Sequence, residues 1–137
     1  MRPRAAGGAP AVVVRKSAFV LELTRPDGTT VRFPVAIGSN PDGADKRAEG
    51  DCRTPEGEFE VSSVEDSSDW EHDGRRSYGP HFIRLSCPPW TGIGIHGTDE
   101  PDTVGTRATL GCVRLRNDDL EVVVGAVAPG TRVRILP

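Results

Sequence analysis

Short runs of β-branched and other apolar residues, separated by turn-forming residues, restrict the possible folds of this chain more than any other feature. The 137 residues include 16 glycines and 12 prolines, which punctuate the sequence at close intervals. The longest apolar runs, such as AVVV and VVV, fall far short of the roughly 20 residues that a membrane-spanning helix needs. The pattern therefore predicts a domain made of many short strands.

Eight strands are predicted from these runs. The first three, in VVVRK, AFVLELT and TVRFPVA, form an antiparallel meander, with the turn residues of RPDGT between the second and third. The other strands are predicted in GEFEVSSV, HFIRLS, GIGIHG, CVRLR and TRVRIL. In GEFEVSSV the alternation of apolar and polar residues is imperfect, because Val61 follows Phe59 by two positions but Val64 follows Val61 by three.

One helix is predicted between the last two strands. Asn117 is a suitable N-cap, and acidic residues follow it in the first turn, where the helix dipole favours them. The helix runs through LEVVVGAVA and ends at Pro129. A chain of this length forms about one domain, assigned to residues 11–137, and the Gly/Pro/Ala-rich residues 1–10 are predicted to be a flexible tail.

Charge and cysteine content exclude several function classes. The net charge of −3 argues against non-specific binding to nucleic acid. The start MRPRAAGGAP lacks the apolar segment of a signal peptide, so the chain either remains inside the cell or has been trimmed of its export signal. Three cysteines are too few for a disulfide scaffold; Cys52 and Cys87 are either ordinary thiols or a mutual disulfide.

Residues 65–79, EDSSDWEHDGRRSYG, contain almost no apolar side chain apart from Trp70 and Tyr78. Loops of this length are uncommon in compact domains unless they are mobile or functional. Two interpretations stay open: a lid over a functional site, or a solvated excursion.

Cys112 lies in the segment TLGCVRL, where strand alternation sorts the side chains onto two faces. One face carries Gly111, Val113 and Leu115, and the other carries Leu110, Cys112, Arg114 and Arg116. Because Val113 and Leu115 belong to the core, Cys112 is predicted to point away from it. That placement argues against a cysteine that only fills the core.

The same alternation applies to GIGIHGT. Ile93 and Ile95 are predicted to face the core, whereas Gly92, Gly94 and His96 share the other face. Two glycines leave that face bare, with room for a ligand to approach His96. Taken alone, such a histidine is more often structural than functional.

Cys112 and His96 together suggest nucleophilic chemistry. A thiol with its ordinary pKa of about 8.5 needs a nearby base or positive charge to act as a nucleophile. His96 can supply both, and Arg114 adds positive potential. Gly111 allows backbone N–H groups to approach an oxyanion. A zinc site formed by Cys112, His96 and either His81 or His72 is an alternative, although no closely spaced ligand pair supports it.

Several motifs in order resemble the L,D-transpeptidase catalytic-domain (YkuD-like) family. GIHGT followed by TLGCVRL resembles its catalytic signature, and GDCRTPEGEFEV, YGPHFIRL and NDDLEVV resemble flanking segments. The likeness extends over about residues 12–137. It implies a mostly β fold, a β-sandwich of mixed sheets with one short α-helix.

The resemblance also implies residue roles. Cys112 would be the nucleophile and His96 the general base and acid, oriented by the backbone carbonyl of Gly97. The oxyanion donors would be the backbone N–H groups of Cys112, Gly111 and Leu110. Substrate-binding or supporting roles fall to Arg114, Thr109, Thr98, Gly94, Tyr78 and His81. The sequence departs from the family pattern at two positions, with Thr109 in place of a serine and Leu110 in place of a frequent histidine.

The implied activity is that of a peptidoglycan L,D-transpeptidase without metal or organic cofactor. A cysteine acyl-enzyme would form on a tetrapeptide stem, between meso-diaminopimelate and D-Ala, release D-Ala and pass the acyl group to an amine, giving a 3-3 cross-link. The partners would be peptidoglycan stem peptides, with neither nucleic acid nor metal, and the protein would be a monomer. The location would be extracytoplasmic, in the periplasm or cell wall, and carbapenems would acylate the cysteine.

Two other functions stay open. With water as the acceptor, the same acyl-enzyme would make an L,D-carboxypeptidase or a peptidoglycan-detaching cysteine peptidase. Without a working nucleophile, the domain would be a non-catalytic peptidoglycan-binding module.

Overall fold

Ten strands, one α-helix and two short 3-10 helices, Lys16–Ala18 and Pro101–Thr103, make up the computed structural model, which describes residues 10–137. The strands are β1 (Val12–Arg15), β2 (Val20–Thr24), β3 (Thr30–Pro34), β4 (Ile37–Gly38), β5 (Gly57–Asp66), β6 (His81–Ser86), β7 (Gly94–His96), β8 (Arg107–Thr109), β9 (Val113–Arg114) and β10 (Arg132–Leu136). The helix α1 spans Asn117–Val124. Apart from Pro10, the predicted N-terminal tail lies outside the described residues.

Eight strands form one mixed sheet in the order β3-β2-β1-β10-β5-β6-β7-β9, and β4 and β8 form a second, two-stranded sheet. The β1–β10, β7–β9 and β4–β8 pairs are parallel, and the other pairs are antiparallel. The prediction of a mostly β fold with mixed sheets and one short α-helix is therefore confirmed, including the β1–β2–β3 meander.

A single apolar core joins the curled sheet, the small sheet and the helix. Leu120 and Val123, one turn apart on α1, are both buried in it. The strands contribute side chains of alternating positions, which include Val12, Val14, Leu21, Leu23, Ile83, Leu85, Ile95, Val113, Leu115, Val133 and Ile135. Among residues 10–137, no helix has the length and apolar character needed to cross a membrane.

The imperfect alternation in the β5 sequence marks a β-bulge. The register against β6 shifts between Val61, opposite Leu85, and Ser63, opposite Arg84. A bulge reverses the side to which the following residues point. As a result Val61 is buried in the core before the bulge and Val64 packs against the core after it.

TLGCVRL is not one strand, contrary to the prediction. Thr109 ends β8, residues 110–112 form a bend, and β9 begins at Val113. The chain turns at Gly111, whose φ of 141° lies outside the range that L side chains favour. The predicted sides still hold, because Val113 and Leu115 are buried while Cys112 is half-buried.

The helix also differs from its prediction at both ends. Asn117 is the first helical residue, not the N-cap, and the N-cap Arg116 makes no side-chain capping bond. The helix ends at Val124, next to Gly125, several residues before Pro129. The short helix accords with the low helix propensity of its three valines.

Candidate active site

A cleft of about 260 Å³ opens where β6, β7 and β9 meet the bend at residues 110–112. Cys112 and His96, which come from different strand ends, both line it. Its other lining residues are Trp70, His72, Ser77, Tyr78, Phe82, Arg84, Gly92, Thr109, Leu110 and Arg114. The fold thus brings the two residues of the predicted nucleophile–base pair into one cavity.

The Thr109 hydroxyl holds the bend that carries Cys112. Its Oγ1 accepts a hydrogen bond from the Gly111 N–H at 3.0 Å and donates one to the Cys112 carbonyl at 2.6 Å. The Gly111 N–H is therefore occupied in this geometry and is unavailable as the oxyanion donor that the sequence predicts. Among residues 10–137, the N–H groups of Leu110 and Cys112 have no protein acceptor.

His96 is buried, with only 4% of its surface exposed, and its ring orientation is set by its neighbours. Nδ1 lies 2.6 Å from the Gly97 carbonyl. Because a carbonyl only accepts, Nδ1 carries the proton, and Nε2 of the neutral ring is left as the basic nitrogen. The ring stacks on Phe82 at 5.7 Å between centroids and meets the edge of Tyr78 at 5.2 Å.

Burial keeps both members of the pair uncharged. It lowers the pKa of His96 to about 4 and raises the pKa of Cys112 to about 11. The positive charges of Arg114, Arg84 and Lys46 act in the opposite direction on the thiol and lower its pKa. At neutral pH the resting site therefore holds a thiol, which donates to the Gly92 carbonyl at 3.4 Å, and a neutral imidazole that lines the same cleft.

Arg114 lies in β9, two residues after Cys112, and its strand position is fixed by backbone hydrogen bonds with Ala36 at 2.8 and 2.9 Å. Its guanidinium donates to the Thr103 hydroxyl at 2.9 Å. Its Nε is buried and has no hydrogen-bond partner among residues 10–137. Arg114 therefore brings a positive charge to the wall of the cleft, which suits a carboxylate ligand.

The sequence profile of the L,D-transpeptidase catalytic domain family (YkuD) matches residues 9–135, nearly the whole chain. The chain belongs to this family. Its relatives include the putative L,D-transpeptidase YkuD of Bacillus licheniformis, 27% identical over 92% of this chain, and the probable L,D-transpeptidase YcfS of Escherichia coli, 41% identical over 42% of it. The chain spans 65% of the first relative's length and 18% of the second's.

Solved structures of similar fold include an L,D-transpeptidase from Mycobacterium smegmatis. It superposes with a TM-score of 0.69 at 18% identity, covering 97% of this chain and 65% of that one. L,D-transpeptidase 3 from Mycobacterium tuberculosis, in complex with a faropenem-derived adduct, also gives a TM-score of 0.69, at 22% identity, covering 94% of this chain and 61% of that one. These likenesses confirm the fold of the L,D-transpeptidase domain.

Three predicted supporting residues lie outside the cleft of this family member. His81 is bonded to Glu121 on α1 at 2.7 Å, and Thr98 accepts a bond from the Glu100 N–H at 2.7 Å. Gly94 does not leave an open surface, because a Cβ there would collide with the Phe82 ring. His72, which the sequence favoured less than His81, lines the cleft.

The predicted lid segment forms one wall of the cleft. Its first two residues belong to β5, and the remainder brings Trp70, His72, Ser77 and Tyr78 to the cavity. Trp70 packs against Tyr78 and Phe82, with centroid distances of 5.7 and 5.4 Å. The segment is a docked wall in this structure and not a solvated excursion.

Trp70, Phe82, Arg84 and Asn117 are site residues that sequence reasoning did not single out. Asn117 bonds the backbone of Thr98 next to the Gly97 carbonyl that orients His96. The irregular spacing of apolar residues in the β5 sequence, which marks the bulge, was the one sequence feature that bears on the position of Arg84.

The alternative zinc site has no support in the structure. Within the described residues, no group of three or more His, Cys, Asp or Glu side chains is arranged to hold a metal ion. Cys52 and Cys87 are both free thiols, so the alternative of a mutual disulfide is not realised. Burial raises the pKa of Cys87 to about 12, which makes it a poor nucleophile.

Proposed function

We propose that this domain is a cysteine-dependent peptidoglycan L,D-transpeptidase with Cys112 as its nucleophile and His96 as its general base and acid. The observation that carries the proposal is that both residues line one cleft, with the proton of His96 directed to Nδ1 by the Gly97 carbonyl. Family membership and the names of its relatives as L,D-transpeptidases support the reaction class.

The first half-reaction forms an acyl-enzyme on a tetrapeptide stem. Cys112 Sγ attacks the carbonyl carbon between meso-diaminopimelate and D-Ala, while the thiol proton passes to Nε2 of His96. The carbonyl electron pair moves to oxygen, and the N–H groups of Leu110 and Cys112 stabilise this oxyanion. Collapse of the intermediate breaks the C–N bond, and His96 returns the proton to the leaving D-Ala amine.

The second half-reaction passes the acyl group to an amine of another stem peptide. The amine attacks the thioester carbonyl and His96 accepts its proton; the C–S bond then breaks, and the Cys112 thiolate that leaves takes this proton from His96. The product is a 3-3 cross-link. If water takes the place of the amine, the same steps yield a tripeptide, and the domain is then an L,D-carboxypeptidase or a detaching peptidase.

Arg114 is proposed to bind the carboxylate of the terminal D-Ala. It lines the cleft, and its buried Nε has no partner among residues 10–137. A carboxylate that pairs with this guanidinium would fix the scissile carbonyl relative to Cys112. Thr109 is proposed to act on the shape of the bend and not on the substrate.

The reaction outcome is tested by incubating the protein with disaccharide-tetrapeptide and analysing the products by mass spectrometry. A cross-linked dimer with release of D-Ala supports the transpeptidase. Tripeptide alone would exclude transfer to an amine and support hydrolysis.

The nucleophile is tested by intact mass after incubation with imipenem. One adduct is expected on the wild type and on Cys52→Ala, a matched thiol variant outside the cleft, and none on Cys112→Ala. Absence of an adduct on the wild type would favour a non-catalytic peptidoglycan-binding module.

The cellular setting follows from the proposed substrate. Residues 11–137 are proposed to act as the catalytic domain, in contact with cell-wall stem peptides in an extracytoplasmic location. The domain is proposed to work as a monomer. Size-exclusion chromatography coupled to light scattering tests the monomer.

A further inference from the structure

Arg84 is a charged residue of the cleft that the proposed mechanism does not use. It lies in β6, and its register partner in β7 is Gly94. The parallel β7–β9 register pairs Ile95 with Val113, which places Gly94 beside Cys112. Arg84, Gly94 and Cys112, the residue directly before β9, thus lie in one row on one side of the sheet. Gly94 contributes no side chain to this row, and the space over it is taken by the ring of Phe82, on which the guanidinium lies.

The guanidinium is held in place from two directions. Its Nε and one terminal nitrogen donate to the Glu65 carboxylate at 2.6 and 3.2 Å. Its planar group lies over the Phe82 ring, 4.9 Å from the centroid. The Ser63 hydroxyl donates to the same carboxylate at 2.6 Å, which orients Glu65 in turn.

The β-bulge in β5 makes this arrangement possible. The register shift after Val61 places Ser63 opposite Arg84 and Glu65 opposite Phe82. Without the extra residue, the alternation of side chains would turn Ser63 and Glu65 towards the core. Glu65 remains one strand further from Cys112 and does not line the cleft, so the positive end of the ion pair faces the cavity.

We propose that Arg84 is a positioning residue that acts through Cys112, stabilising the thiolate that forms when the thiol proton passes to His96. This inference rests on the proposed function only in taking Cys112 as the nucleophile. The other titratable and charged groups near the thiol are His96 on β7, Arg114 on β9, Lys46 in the loop before β5, Cys87 after β6 and His72 in the cleft wall.

The charge of Arg84 should therefore affect how readily the Cys112 thiolate forms and not how tightly the substrate binds. A fixed positive charge lowers the free energy of the anionic form more than that of the neutral thiol. The charge of Arg84 accordingly lowers the pKa of Cys112, and the charge of the thiolate in turn raises the pKa of Arg84.

The test is the rate at which iodoacetamide, an uncharged reagent, alkylates Cys112 between pH 7 and 9.5. Trypsin releases this residue in the fragment ATLGCVR (108–114) and Cys52 in the fragment AEGDCR (48–53), so both thiols are followed in one sample. For Arg84→Gln we expect Cys112 alkylation at pH 8 to slow about two- to fivefold, because the thiolate fraction falls while its intrinsic reactivity rises. Cys52 should be unaffected.

Arg84→Lys keeps the charge and should stay within about twofold of the wild-type rate, since the electrostatic effect depends on charge. Arg32→Gln is the matched control, because Arg32 also forms an ion pair with a glutamate, at 2.7 Å, but on the opposite edge of the sheet. Wild-type Cys112 reactivity in Arg84→Gln, or an equal loss in Arg84→Lys or Arg32→Gln, would overturn the inference. Alkylation does not depend on the reaction product, so a protein that only hydrolyses stems leaves this test intact.

Discussion

The side-chain amide of Asn117 makes a two-point hydrogen-bonded contact with the backbone of Thr98. Oδ1 accepts from the Thr98 N–H at 2.8 Å, and Nδ2 donates to the Thr98 carbonyl at 3.0 Å. Thr98 follows Gly97, whose carbonyl orients His96 and whose N–H bonds the Tyr78 carbonyl at 2.9 Å. The first turn of α1 is therefore linked directly to the backbone that positions the proposed base.

Replacing Asn117 by Ala should weaken both the fold and the site. Two half-buried backbone groups of Thr98 would lose their partners, at a cost of about 1–3 kcal/mol in the free energy of unfolding. Chemical denaturation measures this loss, and acylation by imipenem measures the effect on His96. Asp118→Ala, a change at the next, exposed position, serves as the control. Equal behaviour of the two variants would contradict the role assigned to Asn117.

Thr109→Val should disrupt the bend at residues 110–112, because it keeps the shape of the side chain but removes the hydroxyl that bonds Gly111 and Cys112. We expect a loss of about 1–3 kcal/mol in the free energy of unfolding and slower acylation by imipenem. Thr109→Ser, which keeps the hydroxyl, should acylate at nearly the wild-type rate. If the serine variant were as slow as the valine variant, the methyl group and not the hydroxyl would be the important feature.

Trp70→Ala should release the cleft wall formed by residues 67–80. The indole packs against Tyr78 and Phe82, and the segment is also tied by the ion pair of Arg75 with Asp99 at 2.9 Å and by the bond of the Tyr78 carbonyl with the Gly97 N–H at 2.9 Å. Hydrogen exchange of amides 67–80 should accelerate in the variant while β1 and β10 stay protected. Arg75→Gln removes only an exposed ion pair and should have a smaller effect. Unchanged exchange in Trp70→Ala would show that the wall is held by other contacts.

Local sequence patterns predicted most of the fold because strand alternation and turn residues act over a few positions. The same rule placed Cys112 off the core, and the irregular spacing of Val64 reflected a real bulge in β5. The break of TLGCVRL at Gly111 could not be read in this way, because it depends on the Thr109 hydroxyl and on the Arg53 carbonyl packed against Gly111.

The parts of the site that depend on distant contacts were not predictable. Asn117 looked like an N-cap, and its amide instead bonds Thr98, 19 residues away. His72 and His81 could not be ranked from sequence, because the choice depends on how the 67–80 segment docks and on the bond of His81 to Glu121. The bare face expected at Gly94 is covered by Phe82, a residue of the neighbouring strand.

His96 should make the stability of the protein depend on pH in the mildly acidic range. Burial lowers its pKa from 6.5 to about 4 in the folded protein. Between these values the unfolded chain binds a proton that the folded protein does not, so stability is present in full above pH 6.5 and is lost as the pH falls towards 4. The loss should approach about 3 kcal/mol at the low end.

Denaturation at pH 7.5, 6, 5 and 4.5 measures this loss, and His96→Gln should flatten the dependence of stability on pH. His72→Gln, which removes a histidine at an exposed position, is the matched control. A His96→Gln curve as steep as that of the wild type would assign the pH dependence to other groups.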